Sequence, residues 1–206
     1  DNGQYTFYTQ TGNFTVTPTI ENPNWFNFNP QNASISFANN NNNTTTQNFC
    51  ISANGYHPDL EVVLTPLGGA RPGFDTHYKI VYKNKGNQTL SGQVNLTFDD
   101  THTDFVSSSP NNDNQNSNVL QWNFSNLTPF ETRSIDFILN LNAPIDTPPV
   151  DAGFVLNFTT SITQVSGEET PLDNTFELNQ TVVNSYDPND KTCLEGNTIA
   201  ASEIGK

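Results

Sequence analysis

From residue 60 onward apolar side chains recur at every second position, and this period of two is what most narrows the folds open to the chain. Leu60, Val62 and Leu64 follow it, as do Ile135, Phe137, Leu139 and Leu141. Tyr78, Ile80 and Tyr82 do so as well, with Lys79 and Lys83 between or beside them. In an extended backbone, residues two apart share a face, so each run describes a strand with one apolar side. Such a side has to be covered, and a second sheet is what these sequences offer.

The same spacing marks Val94-Leu96-Phe98, Phe105, Leu120-Trp122-Phe124, Leu156-Phe158-Ile162 and Phe176-Leu178-Val182. Eight strands parted by Gly, Asn and Pro turns over about 130 residues predict an immunoglobulin-like antiparallel β-sandwich for residues 57–186, with Trp122 as a core anchor. Helical alternatives fail on composition: methionine is absent and only 14% of residues are charged, so strong helix formers are scarce. The expected class is all-β.

Residues 1–56 read as a separate small β-module. Five shorter runs are carried by Tyr5 and Phe7, Phe14 and Val16, Trp25 to Phe28, Ile35 and Phe37, and Phe49 and Ile51. Between them fall turn signals at Thr11-Gly12-Asn13, Glu21-Asn22-Pro23-Asn24 and Asn29-Pro30-Gln31, and the run Asn39 to Asn43 is expected to close a hairpin. Adjacent Trp25 and Phe26, if in a strand, point to opposite faces, which makes Trp25 the residue to watch as a sugar-stacking platform. The segment 187–206 holds too few apolar residues to close a core and reads as the start of a following domain. Tyr186-Asp187-Pro188-Asn189-Asp190-Lys191 echoes Tyr56-His57-Pro58-Asp59-Leu60-Glu61, so both look like joints with a stiff proline beside oxygen-bearing side chains.

A net charge of -14 repels phosphate backbones and anionic lipid, which disfavours nucleic acid and membrane surfaces as partners and favours divalent cations as counter-ligands. No stretch is long and apolar enough to insert in a bilayer. Asp187, Asn189 and Asp190 present three hard oxygen ligands within four residues. They make either a calcium-stiffened joint, completed by neighbouring oxygens, or an Asx turn capped by Asp187, the favoured reading of the two. Asp59 and Glu61 would serve the earlier joint in the same way. The Asp99-Asp100-Thr101-His102-Thr103-Asp104 cluster lacks a second His or Cys nearby and is expected to be a solvated loop. Cys50 and Cys193 are too far apart in sequence for a metal-ligand spacing. They form either one disulfide, which folds the tail back along the sandwich, or two free thiols.

Nucleophilic catalysis finds no support. There is no G-x-S-x-G elbow, and the chain's histidines are His57, His77 and His102. Gly68-Gly69-Ala70-Arg71-Pro72-Gly73 lacks the Lys-Ser/Thr of a phosphate-binding loop and reads as a turn, with Arg71 free to pair with a carboxylate.

Arg71-Pro72-Gly73-Phe74, Tyr78-Lys79-Ile80-Val81-Tyr82-Lys83-Asn84-Lys85-Gly86, Leu96-Thr97-Phe98-Asp99-Asp100 and the junction Tyr186 to Lys191 running into Cys193-Leu194-Glu195-Gly196 carry a resemblance. Together they resemble the repeat domains of large Bacteroidetes cell-surface and secreted proteins. Gly3-Gln4-Tyr5-Thr6-Phe7 and Phe14-Thr15-Val16-Thr17-Pro18 are similar, more weakly, to the last strands of a prealbumin-like or carboxypeptidase-regulatory-like module. The resemblance implies an exported, extracellular protein, often a cargo of the type nine secretion pathway and often an adhesin. The expected role is a non-enzymatic structural or adhesive stalk segment whose partners are adjacent domains of one longer chain, with surface glycans or secretion and assembly machinery as further partners. The alternative is an accessory carbohydrate-binding region of a secreted polysaccharide-degrading enzyme.

Overall fold

The computed structural model describes residues 3–184. The first part of the chain forms β1 (Gly12–Val16), a 3-10 turn (Pro23–Trp25), β2 (Phe26–Asn29), β3 (Ala33–Phe37) and β4 (Cys50–Ala53). β1 pairs with β3 and β2 with β4, giving two separate antiparallel ladders. After Tyr56 come β5 (Leu60–Pro66), β6 (Asp75–Asn84), β7 (Leu90–Thr97), β8 (Thr103–Ser109), β9 (Asn114–Asn116), β10 (Val119–Leu127), β11 (Thr132–Leu141), β12 (Val155–Ile162) and β13 (Thr175–Thr181). These build a sheet of order β5-β6-β11-β8 facing a sheet of order β13-β12-β7-β10-β9. The protein is all-β and its ladders are antiparallel.

If β5, β6, β7, β8, β11, β12 and β13 are lettered A to G, the sheets read A-B-E-D and G-F-C, the order of a constant-type immunoglobulin sandwich. The β9–β10 hairpin is an addition, inserted between D and E and paired to the free edge of C. Trp122 therefore stands on the inserted strand. It is buried, and its indole N–H donates to the Pro110 carbonyl at 3.2 Å.

The period of two becomes burial directly. Leu60, Val62, Leu64, Tyr78, Ile80, Ile135, Phe137, Leu139 and Leu141 of one sheet face Val94, Leu96, Leu120, Trp122, Leu156 and Phe158 of the other, all buried. Each such side chain taken fully out of water contributes about 1.5–3 kcal/mol. Tyr78 and Phe137 are register partners with rings 5.1 Å apart, and Phe158 reaches Tyr78 from the opposite sheet at 4.9 Å. Burial raises the Tyr78 phenol above the usual tyrosine range, and its hydroxyl donates to Gln180 Oε1 at 2.8 Å. On the outer face the register pair Lys79 and Asp136 forms an ion pair at 2.9 Å.

Four sequence expectations need correction. The Tyr5–Phe7 run joins no ladder, because the backbone around it finds no strand to pair with among the described residues. Trp25 ends a 3-10 turn opened by Pro23 instead of starting a strand, so alternation with Phe26 does not apply to it. Asn39 to Asn43 does not close a hairpin. It leads from β3 to β4, which belong to different ladders, and it is ordered by Asn39 Oδ1, which accepts from Asn41 N at 3.0 Å and Asn43 Nδ2 at 2.9 Å. No carboxylate among the described residues pairs with Arg71.

Chain direction matters for function. At the start of β5, Val62 N donates to the carbonyl of Asp173, which precedes β13; beyond the other end, Val183 N donates to the carbonyl of Ala70. The chain thus enters the sandwich at one end and leaves it at the other.

Candidate functional site at the joint

Where the small ladders meet the sandwich, the loop Lys83-Asn84-Lys85-Gly86-Asn87 organises the contact. Asn84 is buried, and its side chain donates to the carbonyls of Gln88 at 2.7 Å and Leu127 at 2.9 Å while accepting from Gly86 N at 3.1 Å. That bond set curls the loop so that Gly86 presses on the chain entering β5. A Cβ at Gly86 would stand 2.4 Å from the His57 carbonyl oxygen and 2.5 Å from Asp59 N, so a side chain has no room there.

Asn87 then ties three segments together. Its amide donates to the carbonyls of Trp25 at 2.9 Å and Gly55 at 3.2 Å, and its oxygen accepts from His57 N at 2.9 Å. Its own N–H donates to the His57 carbonyl at 2.9 Å. Around this bridge, Trp25 stacks on His57 at 5.3 Å with planes 6° apart, and Phe26 packs on Phe130 at 4.8 Å. Trp25 is half-buried under His57 and is not a free stacking platform.

Charges complete the joint. Glu21 of the small module reaches Lys85 at 3.0 Å and Lys83 at 3.4 Å, and the bond to Lys85 holds its carboxyl below the usual range. Lys85 also reaches Asp173 Oδ2 at 3.1 Å. Burial works against the Lys85 charge, yet Glu21 and Asp173 hold the ammonium above the usual lysine range. From the β12–β13 loop, Glu168 Oε1 accepts from Leu60 N at 2.6 Å and Glu169 Oε1 lies 2.6 Å from His57 Nδ1.

Asp59 sits inside this cluster with 0% exposure and no hydrogen bond to either carboxylate oxygen. Burial first, and the Asp173 charge second, push its pKa up to about 6. Asp173 Oδ1 is likewise buried without a partner. Sequence reasoning placed Asp59 at a joint but missed Lys85, Asn87 and Asp173, which only the fold brings there.

Asp187, Asn189, Asp190 and Cys193 lie outside the described residues. Cys50 is exposed on β4 opposite Asn29. Among the described residues no group of three or more His, Cys, Asp or Glu is arranged to hold a metal ion. The Asp99 loop is ordered by its own side chains: Asp99 accepts from Thr101 N at 3.1 Å and lies 2.6 Å from His102 Nδ1. Despite partial desolvation, the Thr101 hydroxyl, which also donates to Asp99 Oδ1, together with these bonds holds Asp99 below the usual carboxylate range.

A second feature is an open cleft of about 1000 Å³ on the small module. Phe14, Val16, Ile35 and Phe37, the half-buried face of β1 and β3, form one wall, and residues 3–10 and 42–48 form another. Tyr5 lies 5.5 Å from Phe7 and 6.3 Å from Phe49, and the Tyr5 hydroxyl donates to the Gln47 carbonyl.

No protein-family model matches the chain, and no curated protein matches it. Among solved structures it is similar to the CARDB domain of the PF1109 protein from Pyrococcus furiosus, crystallised with di-metal ions, at 20% identity and a TM-score of 0.42 over 61% of this chain and 89% of that one. It is similar to the bacterial hydrophobin BslA at 13% identity and a TM-score of 0.37, over 63% of this chain and 97% of that one. Domains 4 and 5 of the S-layer protein SbsC match over 89% of this chain and 88% of theirs, at 13% identity and a TM-score of 0.35. No helix among the described residues is long and apolar enough to cross a membrane.

Proposed function

We propose that this chain is a non-enzymatic structural or adhesive stalk segment of a large extracellular bacterial protein, of the Bacteroidetes surface type that its repeat phrases resemble. One observation carries the reading: the chain enters the sandwich beside Asp173 and leaves it beside Ala70, at opposite ends, with the small module fixed at the entry by Asn87. A module with its termini at opposite ends adds its length to whatever lies on either side. A joint closed by buried amide bonds, an aromatic stack and ion pairs keeps that length from folding back.

Small-angle scattering of the isolated chain tests this. A single extended particle whose maximum dimension shortens in Asn87→Ala supports the stalk; a compact or freely bending particle, unchanged by that substitution, counts against it. The carbohydrate-binding alternative is favoured by the cleft, where Tyr5, Phe7 and Phe37 stand among Asn and Thr side chains, the apolar face and polar rim that sugars use. Glycan-array binding lost in Tyr5→Ala and Phe7→Ala would move the assignment to that reading.

A further inference from the structure

The Lys85–Asp173 pair has more than an ion pair needs. Lys85 Nζ lies 3.1 Å from Asp173 Oδ2, and the two side chains are only 12% and 22% exposed. Beside them is a third acid, Asp59, with 0% exposure and no hydrogen bond to either oxygen, close enough that the charges of Asp173 and Lys85 both act on it. Leaving a buried carboxylate unpaired costs free energy, and as a mere structural residue it has no evident return. As a proton carrier between an amine and a carboxyl group it has one.

We propose that Lys85 and Asp173 condense into an intramolecular amide, with Asp59 relaying the protons. Asp59 accepts a proton from the Lys85 ammonium, and the freed nitrogen lone pair attacks Asp173 Cγ to form the C–N bond. The nitrogen gives up a second proton by way of Asp59, and one Asp173 oxygen departs with both protons as water. The net change is ammonium plus carboxylate to amide plus water, so no oxidant, reductant or co-reactant is required. Proximity substitutes for activation of the carboxyl group, since the partners are held in contact and shielded from solvent. A carboxyl group poised near pH 6 can both take and return a proton in neutral solution. Glu21, Glu61, Glu168 and the His57–Glu169 pair surround the site. Glu21 opposes the reaction because it keeps the ammonium charged. The product joins the end of β6 to the start of β13, and hence one sheet to the other, independently of the stalk reading.

Intact-mass spectrometry of the purified chain, followed by peptide mapping, decides the matter. The expected result is a mass lower by one water, with the Lys85 and Asp173 peptides joined in the map. Lys85→Arg and Asp173→Ala should have their full sequence masses, Asp59→Asn should slow or abolish condensation, and Glu21→Gln should speed it. Circular dichroism of Lys85→Arg, which keeps the ion pair but forms no amide, checks that folding survives. A wild-type chain at full sequence mass overturns the proposal. So does a water loss confined to the Asp173 peptide, which would be a local cyclic imide. Complete condensation in Asp59→Asn would remove Asp59 from the reaction.

Discussion

The small module and the sandwich are written in the same period-two pattern, yet they end in different physical states. β5, β6 and β11 alternate between buried and wetted positions, whereas β1 and β3 alternate only between half-buried and exposed ones. In the described residues before Tyr56, the one buried large apolar side chain is Phe26, and it packs on Phe130 of the sandwich. Alternation supplies a face; only a second layer makes that face a core. Among the described residues the small ladders therefore have no buried core of their own, and the one large apolar side chain they bury is covered by the sandwich.

The largest effects should separate the two regions. Phe137→Ala or Trp122→Ala removes a ring from between the sheets and should cost about 3–5 kcal/mol, while Phe14→Ala, on the open face of β1, should cost far less. Urea denaturation of the three variants measures the gap, and equal losses would break the contrast. The next effect is a gain. Asp59 has its folded pKa raised to about 6 from an ordinary value of 3.8, so between those values the folded state holds more protons than the unfolded one. Stability from this group is then present below about pH 4 and is lost as pH rises through about 6. Asp59→Asn should remove that decline and stabilise the chain at neutral pH. The comparison is best made in a Lys85→Arg background, where no amide can form, with denaturation midpoints across pH 4 to 8 as the readout; an unchanged slope would refute it.

Smaller losses sharpen what the joint does. Gly86→Ala forces backbone apart at the entry to β5 and should cost about 1–3 kcal/mol by thermal unfolding, with no such penalty at open Gly68. Asn87→Ala removes bonds to Trp25 and Gly55 and should cost about 1 kcal/mol, read as faster proteolysis of residues 12–54 with the sandwich melting point nearly kept. If the sandwich melted earlier as well, the two regions would be one cooperative unit.

What could be read in the sequence follows the same divide. The apolar strands of the sandwich were legible because burial on one face imposes a spacing that survives any detail of turn geometry. β9 was not, because Asn114, Gln115 and Asn116 are exposed and carry no apolar mark; only pairing to β10 makes them a strand. Trp25 was misplaced because Pro23 opens a 3-10 turn that looks, in an aromatic run, like the start of a strand. The joint was half legible. Pro58 and Asp59 marked its place, but Asn87 and Glu169 reach His57 from 30 and 112 residues away along the chain.

Entry and exit at opposite ends have a mechanical consequence. Tension on the two termini would drag β5 along β6 and β13 along β12, lengthwise, from Leu60↔Asn84 to Pro66↔Tyr78 and from Val155↔Thr181 to Ser161↔Thr175. The ladder bonds of each pair then share the load together instead of opening one after another like a zip, which is the loading geometry that resists rupture.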